Sequence, residues 1–351
     1  MTLPSLDEVL GQERAVSLLR HQLERERVSH AFVFHGPEGV GKKTAARALG
    51  ARLLCKQPEP IRACGTCPSC RKLEAGFHPD LFVLEPNAKG NILIEPIREL
   101  EHDLSLRPME GGARFAIIAG TDGMRTEAQN ALLKTLEEPP ANSHLVLVGT
   151  RPQSLLPTIR SRCTDVRFGL LPEDAAREVL ARIRPDETSE SLERLAAHAN
   201  GAPGQVVSLD LEALSEQLEQ LRALDTALVP GRPEAAREAV DRATELAKDR
   251  VALGLLVDAW TAWTRDQMVL AADASATRLA HPTDAETLGA LARQRGLAEI
   301  LRRADALLEA RRRLDLPHNL NAQMITEQLL LTLTGHVSFE RLPPPAVRVG
   351  A

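Results

Sequence analysis

Cys55, Cys64, Cys67 and Cys70 form a C-x8-C-x2-C-x2-C pattern. Thiolates this close in sequence converge readily on one tetrahedral ion, and four of them make a closed, structural zinc site. The run "CGTCPSC" supplies the small and turn-forming residues that such a knuckle needs. The bland alternative is four free buried thiols. A ferredoxin-type iron–sulfur run would continue C-x3-C-P, and this chain does not. Cys163 brings the total to five. An odd number fits a reducing compartment and a metal site better than a set of disulfides.

The stretch "GPEGVGKKT" (36–44) is the second candidate. Gly36, Gly41 and Lys42 satisfy G-x-x-x-x-G-K, with Gly39 inside the loop. Such a loop turns backbone N–H groups toward phosphates at a helix N-terminus, and the lysine adds a point charge. The position after Lys42, where a hydroxyl normally holds Mg²⁺, is Lys43. Thr44 comes one residue late, about 100° round the helix. Hydrolysis also needs acidic side chains at the end of a second strand. The natural strand, "RFAIIAGTDGM", ends in Ala119 and Gly120, and Asp122 follows only in the turn. The loop is therefore expected to take nucleotide or phosphate without hydrolysing it. Whether ATP or ADP binds, and whether Mg²⁺ accompanies it, stays open.

The elements that must position these residues read as an alternation in the first half. "AFVFH" (31–35), "LFVL" (81–84), "RFAIIAG" (114–120), "HLVLVGT" (144–150) and "DVRF" (165–168) are expected as buried strands. Helices are expected between them, from Lys42 to Leu54 and over "EAQNALLKTLEE", stopped by Pro139-Pro140. Ala128, Ala131, Leu132 and Leu136 share one face of the latter. Strands separated by helices imply a parallel sheet covered on both faces. After Leu170 only helical patterning recurs: two short amphipathic helices up to "NGAPG" (200–204), then a separate all-helical domain. Breaks fall at "PGRP" (230–233), "HPTD" (281–284) and "LPHN" (316–319), and the tail from 341 reads as irregular. Trp260 and Trp263, one turn apart, are expected in its core.

Composition excludes several classes. The 351 residues are 43% hydrophobic and 26% charged, enough for two or three domains with cores of their own. A net charge of −5 argues against a strongly basic nucleic-acid binder, and 3% aromatic residues without tyrosine argue against a base-stacking platform. No apolar run nears the roughly 18 residues of a membrane helix. The N-terminus lacks a basic-then-apolar signal, so a cytoplasmic protein without a membrane partner is expected.

Together "VLGQERAVSLLR", "SHAFVFHGPEGVGKKTAARALG", "CGTCPSC", "AQNALLKTLEEPP" and "TIRSRC" resemble the bacterial DNA polymerase III clamp loader, a family of AAA+ proteins. The likeness is strong over residues 5–208 and weaker beyond, where "NLNAQMITEQLLL" (319–331) looks like a last collar helix. It implies an α/β AAA+ domain over 1–170 with a zinc insertion at 55–70. A helical lid over 171–208 and a collar over 209–340 would follow, before the tail at 341–351. In the family's working ATPase, gamma/tau, the second strand carries a D-E-A-D-like sequence. Here those positions read Ala119, Gly120, Thr121 and Asp122, and "NGAPGQVVSL" lacks the lid arginine. The resemblance thus points to the non-hydrolysing member of a five-subunit ring with gamma/tau and delta. The ring loads the sliding clamp on primed DNA, with any DNA contact made to the backbone.

In that family the S-R-C arginine, here Arg162, reaches a neighbour's ATP site as an arginine finger. From the residues alone it reads as a surface arginine in a weak salt bridge. Arg160 reads as a structural or phosphate-side neighbour, Thr150 matches the family's sensor-1 position although a strand-end threonine is common, and Cys163 reads as a small packed residue. His78, in "GFHPDL", is not assigned as a ligand. Two competitors remain: an active gamma/tau-type ATPase, and a zinc-containing DNA-binding module unrelated to loading.

Overall fold

The computed structural model describes residues 3–110, 112–207, 219–226, 228, 233–273, 279–281, 284–314 and 321–337. The expected irregular tail, the "LPHN" break, and most of "PGRP" lie outside these residues, as do residues 209–218 at the start of the helical half. The chain divides into two compact units, Met1–Ser208 and Leu209–Ala351.

The first unit is built on five parallel strands: β1 (Ala31–His35), β2 (Leu81–Leu84), β3 (Arg114–Ala119), β4 (Ser143–Gly149) and β5 (Thr164–Arg167). They lie in the order β2-β3-β4-β1-β5. Helices α1 (Glu13–Glu24), α2 (Lys42–Leu54), α3 (Pro68–Glu74), α4 (Ile94–Ser105) and α5 (Thr126–Glu137) occupy the connections, with a one-turn α6 (Pro157–Arg160). Two apolar layers sandwich the sheet. Alternate residues Phe32, Phe34, Phe115 and Ile117 join one core with Leu49 and Leu19. Val33, Ala116, Ile118 and Leu147 join the other with Ile97 and Leu132. This two-faced burial explains why β1, β3 and β4 are apolar at nearly every position. The edge strands differ from the expectation of burial. Val83 on β2 is 40% exposed and only Val166 is fully buried on β5, because an edge strand has a neighbour on one side only.

On α5 the expected face holds: Ala128, Leu132 and Leu136 are buried and Ala131 is half-buried. The helix stops at Glu137, two residues before Pro139. Helices α7 (Glu173–Ile183) and α8 (Ser189–Ala199) follow β5, ending in a short 3-10 turn, Pro203–Gln205.

The second unit is helical in its described residues: 219–226, then α9 (Pro233–Leu246), α10 (Arg250–Ala271), α11 (Ala285–Arg295), α12 (Leu297–Leu314) and α13 (Ala322–Leu333). Trp260 and Trp263 are buried in its core. Their ring N–H groups donate to Asp225 Oδ1 and Oδ2 at 3.3 and 3.1 Å. Arg295 Nη1 reaches Oδ2 at 2.7 Å and Arg303 pairs with Oδ1. Burial alone would raise the Asp225 carboxyl; Arg303 and Arg295 outweigh it and hold it below the ordinary carboxylate value. A buried charge with this many partners ties three helical stretches to one point.

Candidate functional site

The loop after β1 places the phosphate-binding motif at the C-terminal edge of the sheet. Gly36, Gly39 and Gly41 all have positive φ (140°, 77° and 95°), which L side chains rarely adopt. Gly41 caps α2, so the helix begins at Lys42. The loop borders a cavity of about 560 Å³ lined by Lys42, Lys43, Thr44, Asp122 and Thr150, together with Ala119 and Gly120. Val9, Leu10, Leu171, Val179 and Ile183 line its apolar side.

Within this cavity the charges are already engaged. Lys42 is buried, and its Nζ donates to the Gly36 carbonyl at 2.8 Å and to that of Pro37. Burial lowers its pKa from the ordinary lysine value, against the pull of Glu38 and Asp122. Lys43 pairs with Glu85, just beyond β2. Thr44 is exposed. Ala119 and Gly120 leave no carboxylate at the end of β3. Asp122 accepts from the backbone N–H of Thr150 at 2.6 Å and of Arg151 at 3.0 Å, and from the Ser154 hydroxyl at 3.3 Å. Burial raises its pKa, but these amides outweigh it and hold the carboxyl below its ordinary value. Asp122 thus pins the end of β4, with each of its oxygens already accepting from a main-chain amide.

The turn after α8 closes on the loop from the other side. The Gly204 N–H donates to the Gly39 carbonyl at 2.9 Å, and a Cβ at Gly204 would meet Gly39 Cα at 2.7 Å. The two backbones touch there because both residues are glycine. Gln12, buried before α1, was not legible as part of this site. Its Nε2 donates to the Gly169 carbonyl at 2.7 Å and to that of Val40 at 3.3 Å, and its Oε1 accepts from Gly169 N–H. The only signal was its place in "VLGQERAVSLLR".

The four cysteines meet at the far end of α2. Cys55 caps α2, and Cys67 caps α3 with its sulfur on the Cys70 N–H. All four sulfurs lie within 4.8 Å of one another. The pairs Cys55–Cys64 and Cys55–Cys70 stand at 3.5 Å, and Cys55–Cys67 and Cys64–Cys70 at 3.9 Å. A zinc–sulfur bond of about 2.3 Å sets the edge of a regular tetrahedron at about 3.8 Å, so the donor set fits zinc. Backbone N–H groups of Cys64 and Cys67 point at Cys55 Sγ and Cys64 Sγ, at 3.3 and 3.4 Å. The N–H groups of Thr66 and Cys67 lower the Cys64 thiol to about 6, whereas burial pushes the Cys55 and Cys70 thiols up, so a bound cation would have to draw those protons off.

His78 is not among the ligands. Ser69 Oγ donates to the Leu54 carbonyl at 2.6 Å and accepts from His78 Nε2 at 2.9 Å, while His78 Nδ1 accepts from Asp80 N–H. Ser69, His78 and Asp80 are all buried. The chain is a strut between α2, α3 and the start of β2. It is no nucleophilic triad, since the Ser69 proton is committed to a carbonyl.

Arg162 lies between α6 and β5, against the last residue of α5. Its Nη2 stands 2.8 Å from Glu137 Oε1, and its Nη1 donates to the Thr158 carbonyl at 2.9 Å and the Ser161 hydroxyl at 3.3 Å. The side chain remains 35% exposed. Arg160 is exposed and Cys163 half-buried, its thiol pushed up to about 12 by burial, which makes it unreactive.

A five-stranded parallel sheet with a phosphate loop, a four-cysteine knuckle after the following helix and helices after β5 defines an AAA+ protein of the clamp-loader class. The family model described as DNA polymerase III, delta subunit, matches residues 11–171. The delta' subunit of DNA polymerase III from Pseudomonas aeruginosa is 34% identical over 326 residues, 92% of this chain and 94% of that one. The delta' subunit of Bacillus subtilis is 34% identical over 56% of this chain and 59% of its own length. The tau subunit of Escherichia coli shares 34% identity over 59% of this chain but only 33% of its own length. The chain belongs to the DNA polymerase III delta' family. Among the described residues no helix is long and apolar enough to cross a membrane.

Proposed function

We propose that this chain is the non-hydrolysing delta' member of a cytoplasmic clamp loader, assembled with gamma/tau and delta subunits. It lends Arg162 to the ATP site of an adjacent gamma/tau subunit and so helps to load a sliding clamp on primed DNA. Residues 171–208 act as the lid of its AAA+ domain and residues 209–340 as the part that joins the collar. The observation that carries this reading is the contrast between two charged groups. Lys42 is folded onto its own loop and the acids expected opposite it are Ala119 and Gly120. Arg162, in contrast, is held in place and partly exposed at the surface. A guanidinium so placed can meet the charge that develops on the γ-phosphoryl oxygens of a bound nucleotide, where such fingers are worth about 10³–10⁵ in rate. The four-cysteine knuckle holds a structural zinc, and phosphate-loop residues Gly36, Gly39, Gly41, Lys42, Lys43 and Thr44 serve at most to bind.

The test is phosphate release by a loader reconstituted from this chain, its cognate gamma/tau and delta subunits, clamp and primed DNA. Arg162→Ala is expected to slow turnover at least tenfold while the complex still co-elutes in gel filtration. An unchanged rate in an intact complex would overturn the finger.

A further inference from the structure

We propose that Glu137 is a positioning residue for Arg162, holding its guanidinium in a working orientation before a neighbour's nucleotide arrives. The proposal rests on the reading of Arg162 as a finger and names a second residue on which that finger depends.

Two separate elements bracket one side chain. Glu137 is the last residue of α5, where the coming prolines end the helix. Thr158 and Ser161 belong to α6 and its C-cap. The Glu137 carboxylate takes Nη2 at 2.8 Å from one side. The Thr158 carbonyl and Ser161 hydroxyl take Nη1 from the other. Among the described residues, Nε–H makes no hydrogen bond. A planar fork offers five N–H groups: Nη1 spends its two on the Thr158 and Ser161 oxygens, Nη2 stands in an ion pair with Glu137, and Nε–H is left for an oxyanion.

The pair cannot be explained by stability. Glu137 is half exposed, and exposed ion pairs contribute little. Its effect lies in order: a free arginine samples many rotamers, and fixing it beforehand removes part of the entropy lost on reaching the transition state. Glu137 itself touches no phosphate.

The same reconstituted loader tests this with Glu137→Ala, Glu137→Gln, Arg162→Ala and the Glu137→Ala/Arg162→Ala double variant, each over a range of ATP concentrations. Glu137→Ala is expected to lower kcat about three- to tenfold with KM for ATP unchanged, as loss of orientation does. Glu137→Gln, which keeps an acceptor oxygen in place, should lose less. The double variant should be no slower than Arg162→Ala alone, because Glu137 acts only through that side chain. If Glu137→Ala fails to co-elute with its partners, Glu137→Gln carries the comparison. Rates for both Glu137 variants equal to or above wild type, or additive losses in the double variant, overturn the positioning role. If Arg162→Ala itself leaves the rate unchanged, the finger reading fails and Glu137 falls with it. Slow Arg162→Ala beside wild-type Glu137 variants would remove Glu137 alone.

Discussion

The two ends of α2 carry the two most conspicuous motifs of the chain, and they differ in completeness. At its C-terminus, Cys55 joins three further thiols at distances that suit one tetrahedral ion. At its N-terminus, Gly41 and Lys42 open a phosphate loop whose partners are gone: no acid ends β3, and Asp122 is spent on main-chain amides. Both motifs have the right spacing. Only one has its full donor set. A motif is therefore a statement about backbone shape, whereas chemistry depends on the groups that face it from other elements.

The sharpest way to break this comparison is to make the complete site incomplete. Cys70→Ser, or exhaustive chelation, should reduce the metal content from about one zinc per chain to none, read by atomic absorption. A structural zinc site lost from a domain of this size costs on the order of 5 kcal/mol, so calorimetry should place Tm about 10–20 °C lower. A chain that retains its Tm without metal would show the knuckle to be four packed thiols.

Next in size is Asp122. Asp122→Ala leaves the Thr150 and Arg151 N–H groups without their acceptor and should cost about 2–3 kcal/mol in urea unfolding. If the residue were instead a surrogate metal ligand, stability would barely change. The same anchor has an acid signature. Its pKa is lower in the folded protein than in the unfolded chain. The stability it contributes is complete above about pH 4, the ordinary carboxylate range, and is lost as pH falls through the lower folded value. The isosteric Asp122→Asn variant should flatten that part of the acid limb in a pH series of urea midpoints.

The smallest effect is expected at Lys43. Its pair with Glu85 is exposed on both sides, so Lys43→Ser should alter stability by less than about 1 kcal/mol. Restoring a hydroxyl there should not restore turnover by the isolated chain, measured as Mg²⁺-dependent phosphate release, because Ala119 and Gly120 remain. Turnover in that variant would make the incomplete site complete after all.

Much of this was legible in the residues. The strands β1, β3 and β4 are nearly continuous apolar runs because both faces are covered, and α2 and α5 are bounded by Gly41 and by Pro139. The phosphate loop and the knuckle are local, so their spacing survives in the sequence. What was not legible depends on partners distant along the chain. Gln12 bonds to Gly169, Ser69 to Leu54 and His78, and Glu137 faces Arg162. Asp225 looked like any acid in a helical half, yet it collects two tryptophans and two arginines. Single polar residues carry no periodicity, so their pairing appears only when the fold brings them together.

Helix α2 runs 13 residues from Lys42 to Leu54, about 20 Å at 1.5 Å per residue. It is one rod with the phosphate loop at its head and one of the four clustered thiols at its foot. Between the two, Ala45, Ala46, Ala48 and Leu49 are buried in the core, so a helix frayed at its foot by an oxidised thiol would still be held along its middle.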